Sequence, residues 1–283
     1  MSEKHSEEQG KSEDYIIESA DEKFMSCREL HQIRFQLESL KPELLLREAG
    51  VKSTVVVFGS ARTREAEQLK AQIEELEAEL KRNPNDENLQ EKRRTAEKLK
   101  KSVKFYDIAR EFTKIAGSEE VRPGKKLIVV TGGGPGIMEA ANRGAYEAGA
   151  KNIGLNITIT HEPEPNPYVT PELCFKFNYF AIRKMVFVAH SRALVVFPGG
   201  FGTMDELFEV LTLVQTTKKE RIPIVLVGRD FWQDILNFPA FAKWGYIAGE
   251  DLNLFKFADT AREIWGYIKD FYKDHDIPAN TMQ

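Results

Sequence analysis

The chain has 283 residues, with 40 Lys and Arg against 44 Asp and Glu, a net charge of −4 and a pI of about 5.9. This length allows one large α/β domain with appendages or two modest domains, and the charge favours neither nucleic acid nor anionic lipid as a partner. No apolar stretch approaches the ~20 residues that span a bilayer. The two cysteines and five histidines have no metal-ligand spacing. We expect a cytoplasmic protein without a metal, a membrane contact or a nucleic-acid partner.

The first fifty residues divide into two parts by composition. Residues 1–23 are polar, rich in charge and without the apolar core of a signal peptide, which predicts a disordered tail. Residues 24–50 carry apolar side chains at helical spacing and are expected to form a helical prefix. The remainder, 51–283, is expected to be a single Rossmann-like domain.

Six short apolar runs in that remainder predict buried strands. Several of them are followed by a glycine-rich turn and a helix, which indicates an α/β fold with a parallel sheet covered by helices on both faces. The expected strands are residues 54–58, 127–130, 152–159, 174–177, 193–197 and 222–227.

Residues 64–104 do not follow this pattern of strand, glycine turn and helix. They predict an inserted antiparallel helical hairpin. Two narrow apolar seams are separated by a break at residues 83–86, which is typical of two short helices packed together. Basic residues between 92 and 104 alternate with Glu91 and Glu97, which favours a solvated helix face over nucleic-acid contact. The seams consist of Leu69, Ile73, Leu76 and Leu80, followed by Leu89, Ala96, Leu99 and Val103.

The turn at residues 198–203 is the most informative motif. It contains three glycines, follows a buried strand and opens a helix, and such a turn binds phosphate through free backbone N–H groups and the helix dipole. Glu206 is expected one turn into that helix, close to the bound anion. Thr203 and Glu206 also match a capping box, in which Thr203 would cap the helix and Glu206 would return to the backbone of Thr203. A cap does not require three glycines, so the phosphate interpretation is favoured.

A second glycine turn, at residues 132–136, follows the second predicted strand. It has neither the Lys-Ser/Thr of a P-loop nor the third glycine of a dinucleotide fingerprint, and close strand–helix packing could also explain it. Ligands bind beyond the carboxyl ends of parallel strands. We therefore expect the turns after residues 58, 130 and 197 to converge on one crevice.

Arg183 and Lys184 lie on a helix predicted over residues 179–190. The neighbouring residues are strongly apolar, which predicts that this helix is largely buried. A buried charge needs a partner, and an anionic ligand or Glu206 would serve.

Together these motifs resemble the Lonely Guy (LOG) family, which is often mislabelled as lysine decarboxylase. The hallmark Pro-Gly-Gly-x-Gly-Thr-x-x-Glu matches residues 198–206 without a gap, and the Arg-Lys pair of the family matches residues 183–184. The family's Gly-Gly-Gly-x-x-Gly-Leu-Met turn is similar to residues 132–138, with Ile137 in place of leucine. The resemblance covers roughly residues 51–62 and 105–230.

This resemblance implies a phosphoribohydrolase that needs no cofactor. It would cleave the N-glycosidic bond of a purine nucleoside 5′-monophosphate, AMP or an N6-substituted AMP, and form a homodimer or a larger homo-oligomer. Glu206 and Arg183 would be catalytic. The implied substrate-binding residues are Gly59, Ser60, Gly133, Gly134, Gly136, Met138, Lys184, Gly199, Gly200, Phe201, Gly202, Thr203 and Thr212.

Other classes of function remain open at this point. A sensor or carrier on the same fold would bind nucleotide without hydrolysing it, and an interaction scaffold would use the prefix and hairpin and bind no nucleotide. Lysine decarboxylation requires an electron sink such as a pyridoxal-bound lysine, and no lysine stands in such a setting by sequence. Lys184 is better explained by the Arg-Lys pair.

Overall fold

A computed structural model describes residues 16–158 and 164–277. Seven parallel strands form one sheet in the order β4-β3-β2-β1-β5-β6-β7. The strands are β1 (Thr54–Phe58), β2 (Ile128–Thr131), β3 (Asn152–Ile157), β4 (Cys174–Phe177), β5 (Ser191–Val196), β6 (Ile224–Val227) and β7 (Lys256–Ala258).

The predicted parallel sheet with helices on both faces is confirmed, and all six expected strands are present. Two strands have the predicted bounds and the bounds of the other four shift by at most two residues; β5 begins at Ser191, and the whole segment from that residue is buried. The seventh strand, β7, was missed because it has only three residues and is partly exposed, so its sequence lacks a strand pattern.

Eleven α-helices lie in the described parts of the chain, and none of them is both long and apolar enough to cross a membrane. The helices are α1 (Glu22–Ser26), α2 (His31–Glu48), α3 (Ala66–Arg82), α4 (Glu87–Leu99), α5 (Val103–Ser118), α6 (Ile137–Glu147), α7 (Phe180–His190), α8 (Phe201–Gln215), α9 (Arg229–Ile235), α10 (Phe238–Lys243) and α11 (Ala261–Asp274).

The two expected helical additions are both present. The prefix begins slightly earlier than predicted and breaks at Cys27 between α1 and α2. Most of the tail predicted over residues 1–23 lies outside the described residues. The hairpin consists of α3 and α4, and the Asp86 side chain caps α4 by accepting from the amides of Asn88 and Leu89. The predicted seams form a small core of their own around Leu69 and Ile73.

The sheet separates two apolar cores because alternate residues of a strand point to opposite faces. Val55 and Val57 of β1 pack in one core with α5, α6 and α11. Val56 and Phe58 pack in the other core with α7, α8 and α9. Every residue of β1 is buried, which is why the strand is a continuous β-branched and aromatic run rather than an alternating one.

The order of the strands reverses between β1 and β5. The chain adds β2, β3 and β4 on one side of β1, and then crosses to add β5, β6 and β7 on the other side. At such a switch point the loops beyond the carboxyl ends of the two central strands part and leave a crevice. The turns after β1 and β5 border this crevice.

The close packing of α5 against α6 gives a stability prediction. A Cβ at Gly144 on α6 would overlap the carbonyl oxygen of Arg110 on α5, whereas a Cβ at Gly266 on α11 would meet open space. Gly144→Ala should lower the free energy of unfolding by about 1–3 kcal/mol because of overpacking. Gly266→Ala should raise it by up to about 1 kcal/mol because alanine reduces the entropy of the unfolded chain. Urea denaturation followed by circular dichroism measures both, and equal effects would contradict this packing.

Candidate active site

The three glycine-containing turns meet, as the sequence predicts. The amide of Ser60 after β1 donates to the carbonyl of Pro198 after β5 at 3.0 Å, and the amide of Ile137 donates to the carbonyl of Ser60 at 3.1 Å. A Cβ at Gly59 would lie 2.7 Å from the Ile137 side chain, so the end of β1 can approach α6 this closely only without one. The turns after β1, β2 and β5 therefore form one continuous rim at the switch point.

The amino end of α8 carries the open backbone amides of this rim. Gly200 is the N-cap residue, and its carbonyl accepts from the amides of Thr203 and Met204 at 3.0 and 3.1 Å. Among the described residues no carbonyl accepts from the amides of Phe201 and Gly202, which stand before the first intrahelical bonds. These two amides are available to donate to an anion, and the positive end of the helix dipole favours negative charge at the same place.

The capping-box interpretation of Thr203 and Glu206 is wrong. Helix α8 begins at Phe201, two residues before Thr203, and its N-cap makes no side-chain hydrogen bond. Thr203 is therefore the third residue of the helix, and the Glu206 carboxylate is free of the capping role.

The glycines of this turn have different roles. A Cβ at Gly199 would overlap the Thr203 hydroxyl, so this glycine allows the threonine side chain to fold over the turn. A Cβ at Gly200 or Gly202 would meet nothing within 4 Å, which leaves their backbone open to a ligand. Phe201 lies between them and is 96% exposed. The turn thus presents bare backbone beside one projecting aromatic ring.

Glu206 lies behind this turn and is only 4% exposed. Burial raises the pKa of Glu206 to about 7, although the positive charges of Lys184 and Arg183 act in the opposite direction. Both the protonated and the ionised form of this carboxyl are therefore populated near neutral pH. A carboxyl with such a pKa in a cleft is a candidate for proton transfer or charge stabilisation.

Lys184 on α7 connects this helix to the first two turns of α8. Its ammonium lies 2.7 Å from the Asp205 carboxylate and 3.2 Å from the Glu209 carboxylate. Burial favours the neutral amine and so acts to lower the pKa of Lys184. The hydrogen bonds to these two carboxylates outweigh it and raise the pKa above its ordinary value. The lysine is thus a fixed cation next to Glu206 rather than a neutral amine.

Arg183 lies on the side of the second glycine turn. Its guanidinium carbon is 5.3 Å from the centre of the Phe180 ring and 5.7 Å from that of Phe187, distances at which cation–π attraction operates. A Cβ at Gly132 would lie 3.8 Å from Nη1 of Arg183. The guanidinium therefore extends from α7 to the turn after β2.

The prediction that α7 is largely buried is only half right. Ile182 and Phe187 are buried, but Phe180 is 51% and Met185 is 57% exposed. One face of the helix packs on the sheet, and the other is an apolar surface open to solvent.

The turn at residues 132–136 is shaped by backbone conformations that favour glycine. Gly133 has φ of 71° and Gly136 has φ of 75°, and a Cβ at Gly136 would overlap the backbone of Ser60 and Ala61. The Met138 side chain lies over the turn, since Cβ atoms at Gly132 and Gly134 would both lie 2.8 Å from it. The predicted site residues of this turn therefore pack closely against the end of β1 and the side chain of Met138.

A buried amide network holds this turn, and the sequence analysis missed it. Nδ2 of Asn166 donates to the carbonyls of Gly133 and Gly134 at 3.0 Å and to Oδ1 of Asn142 at 2.9 Å. Oδ1 of Asn142 also accepts from the Thr131 hydroxyl at 2.7 Å. These asparagines are far apart in sequence and match no motif, so only the fold reveals them.

Asn156 at the end of β3 is the unsatisfied member of this region. Its Nδ2 is buried and has no hydrogen-bond partner among the described residues. The Cβ of Asn156 lies 3.9 Å from the position that a Cβ at Gly133 would occupy. A buried amide donor without a hydrogen-bond partner costs free energy, and this one lies next to the turn after β2.

Thr212 lies apart from the other predicted site residues. It is nine residues beyond Thr203 on α8, roughly 13 Å along the helix axis. Its hydroxyl donates to the carbonyl of Phe208 at 2.7 Å. The turns of this chain do not reach it.

No group of three or more His, Cys, Asp or Glu residues in the described parts of the chain has an arrangement that could hold a metal ion. Lys219 is a buried lysine that sequence reasoning missed, and burial lowers its pKa to about 8. Its ammonium donates to the carbonyl of Val188 at 2.8 Å. Because Val188 precedes the start of β5, Lys219 lies at the amino edge of the sheet, opposite the crevice.

The fold and this site together define a Rossmann-like α/β protein with a buried carboxyl in the second turn of a helix that follows a glycine-rich turn. Residues 138–268 match a family model described as "Possible lysine decarboxylase". A probable cytokinin riboside 5′-monophosphate phosphoribohydrolase of Arabidopsis thaliana is 27% identical over 154 residues, 53% of this chain and 76% of that protein. The resemblance to the Lonely Guy family is confirmed by these two matches.

Two further similarities extend the comparison. A pyrimidine/purine nucleotide 5′-monophosphate nucleosidase of Escherichia coli strain K12 is 32% identical over 115 residues, 37% of this chain and 25% of that protein. The structure of a molybdenum cofactor binding protein from Rippkaea orientalis has a TM-score of 0.47 and 18% identity, over 78% of this chain and 97% of that one. The names of the two enzymes give nucleotide monophosphates as their substrates.

The buried carboxyl predicts a pH-dependent effect of Glu206→Gln on stability. The pKa of Glu206 is about 7 in the folded state against an ordinary 4.5, so the folded chain keeps a proton that the unfolded chain releases between these values. The wild type should therefore lose stability as pH rises from 4.5 to 7, on the order of 3 kcal/mol in total. Glutamine does not titrate, so the variant lacks this loss of stability. The difference between its Tm and that of the wild type should therefore increase as the pH rises toward 8. Exposed Glu111→Gln is the control, and a Tm difference that does not vary with pH would contradict the burial of a charge.

Proposed function

We propose that this protein hydrolyses the N-glycosidic bond of a purine nucleoside 5′-monophosphate, AMP or an N6-substituted AMP. The products are the free base and ribose 5-phosphate. The observation that carries the proposal is the placement of a buried carboxyl, Glu206, directly behind an anion-binding helix terminus. The names of the two enzyme relatives support the same class of reaction.

The 5′-phosphate would bind at the amino end of α8. The amides of Phe201 and Gly202 would donate to its oxygens, and the dipole of the 15-residue helix favours the negative charge there. The open backbone of Gly200 allows the phosphate to approach closely. Phosphate binding would thereby fix the ribose above the first turns of α8.

Glu206 would act on the ribose carbon that carries the base. As the C1′–N bond breaks, positive charge develops on the ribose ring, and an ionised carboxylate nearby stabilises it. The departing base takes the electron pair of the C1′–N bond and one proton, while water adds its oxygen to C1′ and gives up a proton, so the two protons balance. A carboxyl with a pKa of about 7 is suited to accept that proton at neutral pH.

Arg183 and Lys184 would hold this carboxylate in its charged form and position the substrate. Both cations act to lower the pKa of Glu206 against its burial. Lys184 is fixed by Asp205 and Glu209, whereas the Arg183 guanidinium extends to the glycine turn after β2. Arg183 would therefore contact the ribose or the departing base.

Lysine decarboxylation, which the description of the family model names, has less support. Lys184 is paired with two carboxylates, and its raised pKa keeps the amine protonated, so it is a poor nucleophile for a carbonyl cofactor. Lys219 has a lowered pKa but lies at the other edge of the sheet from the glycine turns.

We also propose that the protein is a homo-oligomer, most simply a two-fold dimer. Ile33, Leu37 and Leu40 form an exposed apolar stripe on α2, and Phe180 and Met185 are exposed on α7, which α2 contacts. A second copy of the chain is the occupant that would cover such a surface by two-fold symmetry. Light scattering at micromolar concentration should give twice the chain mass of 32.3 kDa or more. The mass of a single chain would refute the proposal.

The hydrolysis is tested by incubating the protein with AMP, N6-substituted AMP or adenosine and measuring ribose 5-phosphate or free base. Both monophosphates should be cleaved, and adenosine far more slowly, because the phosphate supplies binding energy that positions the ribose. Glu206→Gln should bind AMP normally but turn it over about 10²–10³-fold more slowly, the loss typical of one transition-state electrostatic partner.

Exposed Glu111→Gln is the matched control and should keep the wild-type rate. Equal cleavage of adenosine and AMP would contradict the role of the phosphate. A Glu206→Gln rate above about a tenth of wild type would exclude Glu206 as the key group. Tight AMP binding without any ribose 5-phosphate would instead favour a nucleotide sensor or carrier.

A further inference from the structure

The prefix helix α2 lies along α7, the helix that carries Arg183 and Lys184. Glu38 of α2 contacts the residues that precede α7, and Glu43, one and a half turns later, contacts the last residue of α7. The two helices therefore run side by side in the same direction. The prefix, which lies outside the region that resembles the Lonely Guy family, is in direct contact with the helix of the Arg-Lys pair.

The Glu38 carboxylate serves as a cap for α7. Its Oε1 accepts from the amides of Asn178 and Tyr179 at 2.9 and 2.8 Å, and its Oε2 accepts from Nδ2 of Asn178 at 3.2 Å. Tyr179 is the N-cap residue of α7, and its own side chain makes no capping bond. A carboxylate at this place satisfies backbone donors and complements the positive end of the helix dipole.

Further contacts fix α2 against both ends of α7. The rings of Phe35 and Tyr179 meet edge to face with centroids 4.1 Å apart. At the other end, Oε2 of Glu43 lies 3.0 Å from Nε2 of the buried His190. The prefix thus determines both where α7 begins and how it is oriented.

The first turn of α7 determines where the Arg183 guanidinium lies. The amide of Arg183 donates to the carbonyl of Tyr179 at 3.1 Å, so the arginine belongs to the turn that Glu38 caps. Only residues 178 and 179 connect β4 to α7, and Phe180 at the start of the helix is half exposed. Ile182 packs this turn on the core, and the contact from the prefix adds hydrogen bonds at its exposed start.

We propose that Glu38 is a positioning residue that fixes the first turn of α7 and thereby places Arg183 and Lys184 at the site. The inference rests on the proposed hydrolysis for its effect on turnover, but not for its effect on α7. Glu38 acts through the backbone amides of Asn178 and Tyr179 and the side-chain amide of Asn178.

The test compares Glu38→Ala, Glu38→Gln and the control Glu48→Ala in the full chain. Glu48 is an exposed residue at the end of α2. Hydrogen exchange of the amides of residues 183–187 should be about tenfold faster in Glu38→Ala, the effect of losing one cap. The kcat for AMP should fall about 5- to 20-fold with little change in KM, because a small displacement of a charged group slows the reaction. Glu38→Gln keeps an acceptor oxygen and should restore most of both properties, and Glu48→Ala should match the wild type.

The outcomes separate this inference from the proposed function. If exchange in α7 is the same in Glu38→Ala and Glu48→Ala, the positioning role is refuted whatever the activity. If kcat falls without a change in α7 exchange, Glu38 acts by another route and the inference is also refuted. If α7 exchange responds and Glu38→Gln restores it while the wild type releases no ribose 5-phosphate, the hydrolysis is refuted and the support of α7 by the prefix stands.

Discussion

The burial of the Glu206 carboxyl is the constraint on which the rest of the site depends. A charge removed from water is costly unless nearby charges compensate, and here the compensation comes from the two cations of α7. Lys184 is itself fixed by two other carboxylates of α8, so the two helices are connected by a chain of alternating charges. This arrangement leaves Glu206 between its two protonation states near neutral pH. A fully exposed or fully paired glutamate would lack that property.

The fold supplies the second requirement, which is close approach of three backbones. The turns after β1, β2 and β5 are joined by hydrogen bonds from Ser60 and Ile137, and glycines remove the side chains that would separate them. The asparagine network around Asn142 and Asn166 holds the turn after β2 by hydrogen bonds. The rim of the crevice is therefore stiff, and the charged groups from α7 and α8 meet it from the opposite face of the sheet. Rigid backbone on one side and paired charges on the other are what pre-organised electrostatic catalysis requires.

Much of this was predictable from sequence because the informative signals are local. Continuous apolar runs predicted the buried strands, and the glycine turn at residues 198–203 predicted the helix that follows it, since both depend on neighbouring residues only. The capping-box interpretation of Thr203 failed because the spacing of a threonine and a glutamate does not reveal where a helix starts. The burial of α7 was overestimated because an apolar composition does not show which face meets solvent. Asn156, Asn166 and Glu38 were missed because their partners lie on other elements, and one sequence carries no trace of such pairs.

The two helical additions differ in how they relate to the chemistry. The hairpin packs around its own small core, which includes Leu69 and Ile73. The prefix is different, because its Glu38 carboxylate accepts from the amides of Asn178 and Tyr179 just before α7, whose own N-cap side chain makes no hydrogen bond. A helix that lacks its own cap is stable at its amino end only when another element satisfies the amides there. If Glu38 positions α7 as proposed, the placement of the Arg-Lys pair depends on a segment more than a hundred residues away.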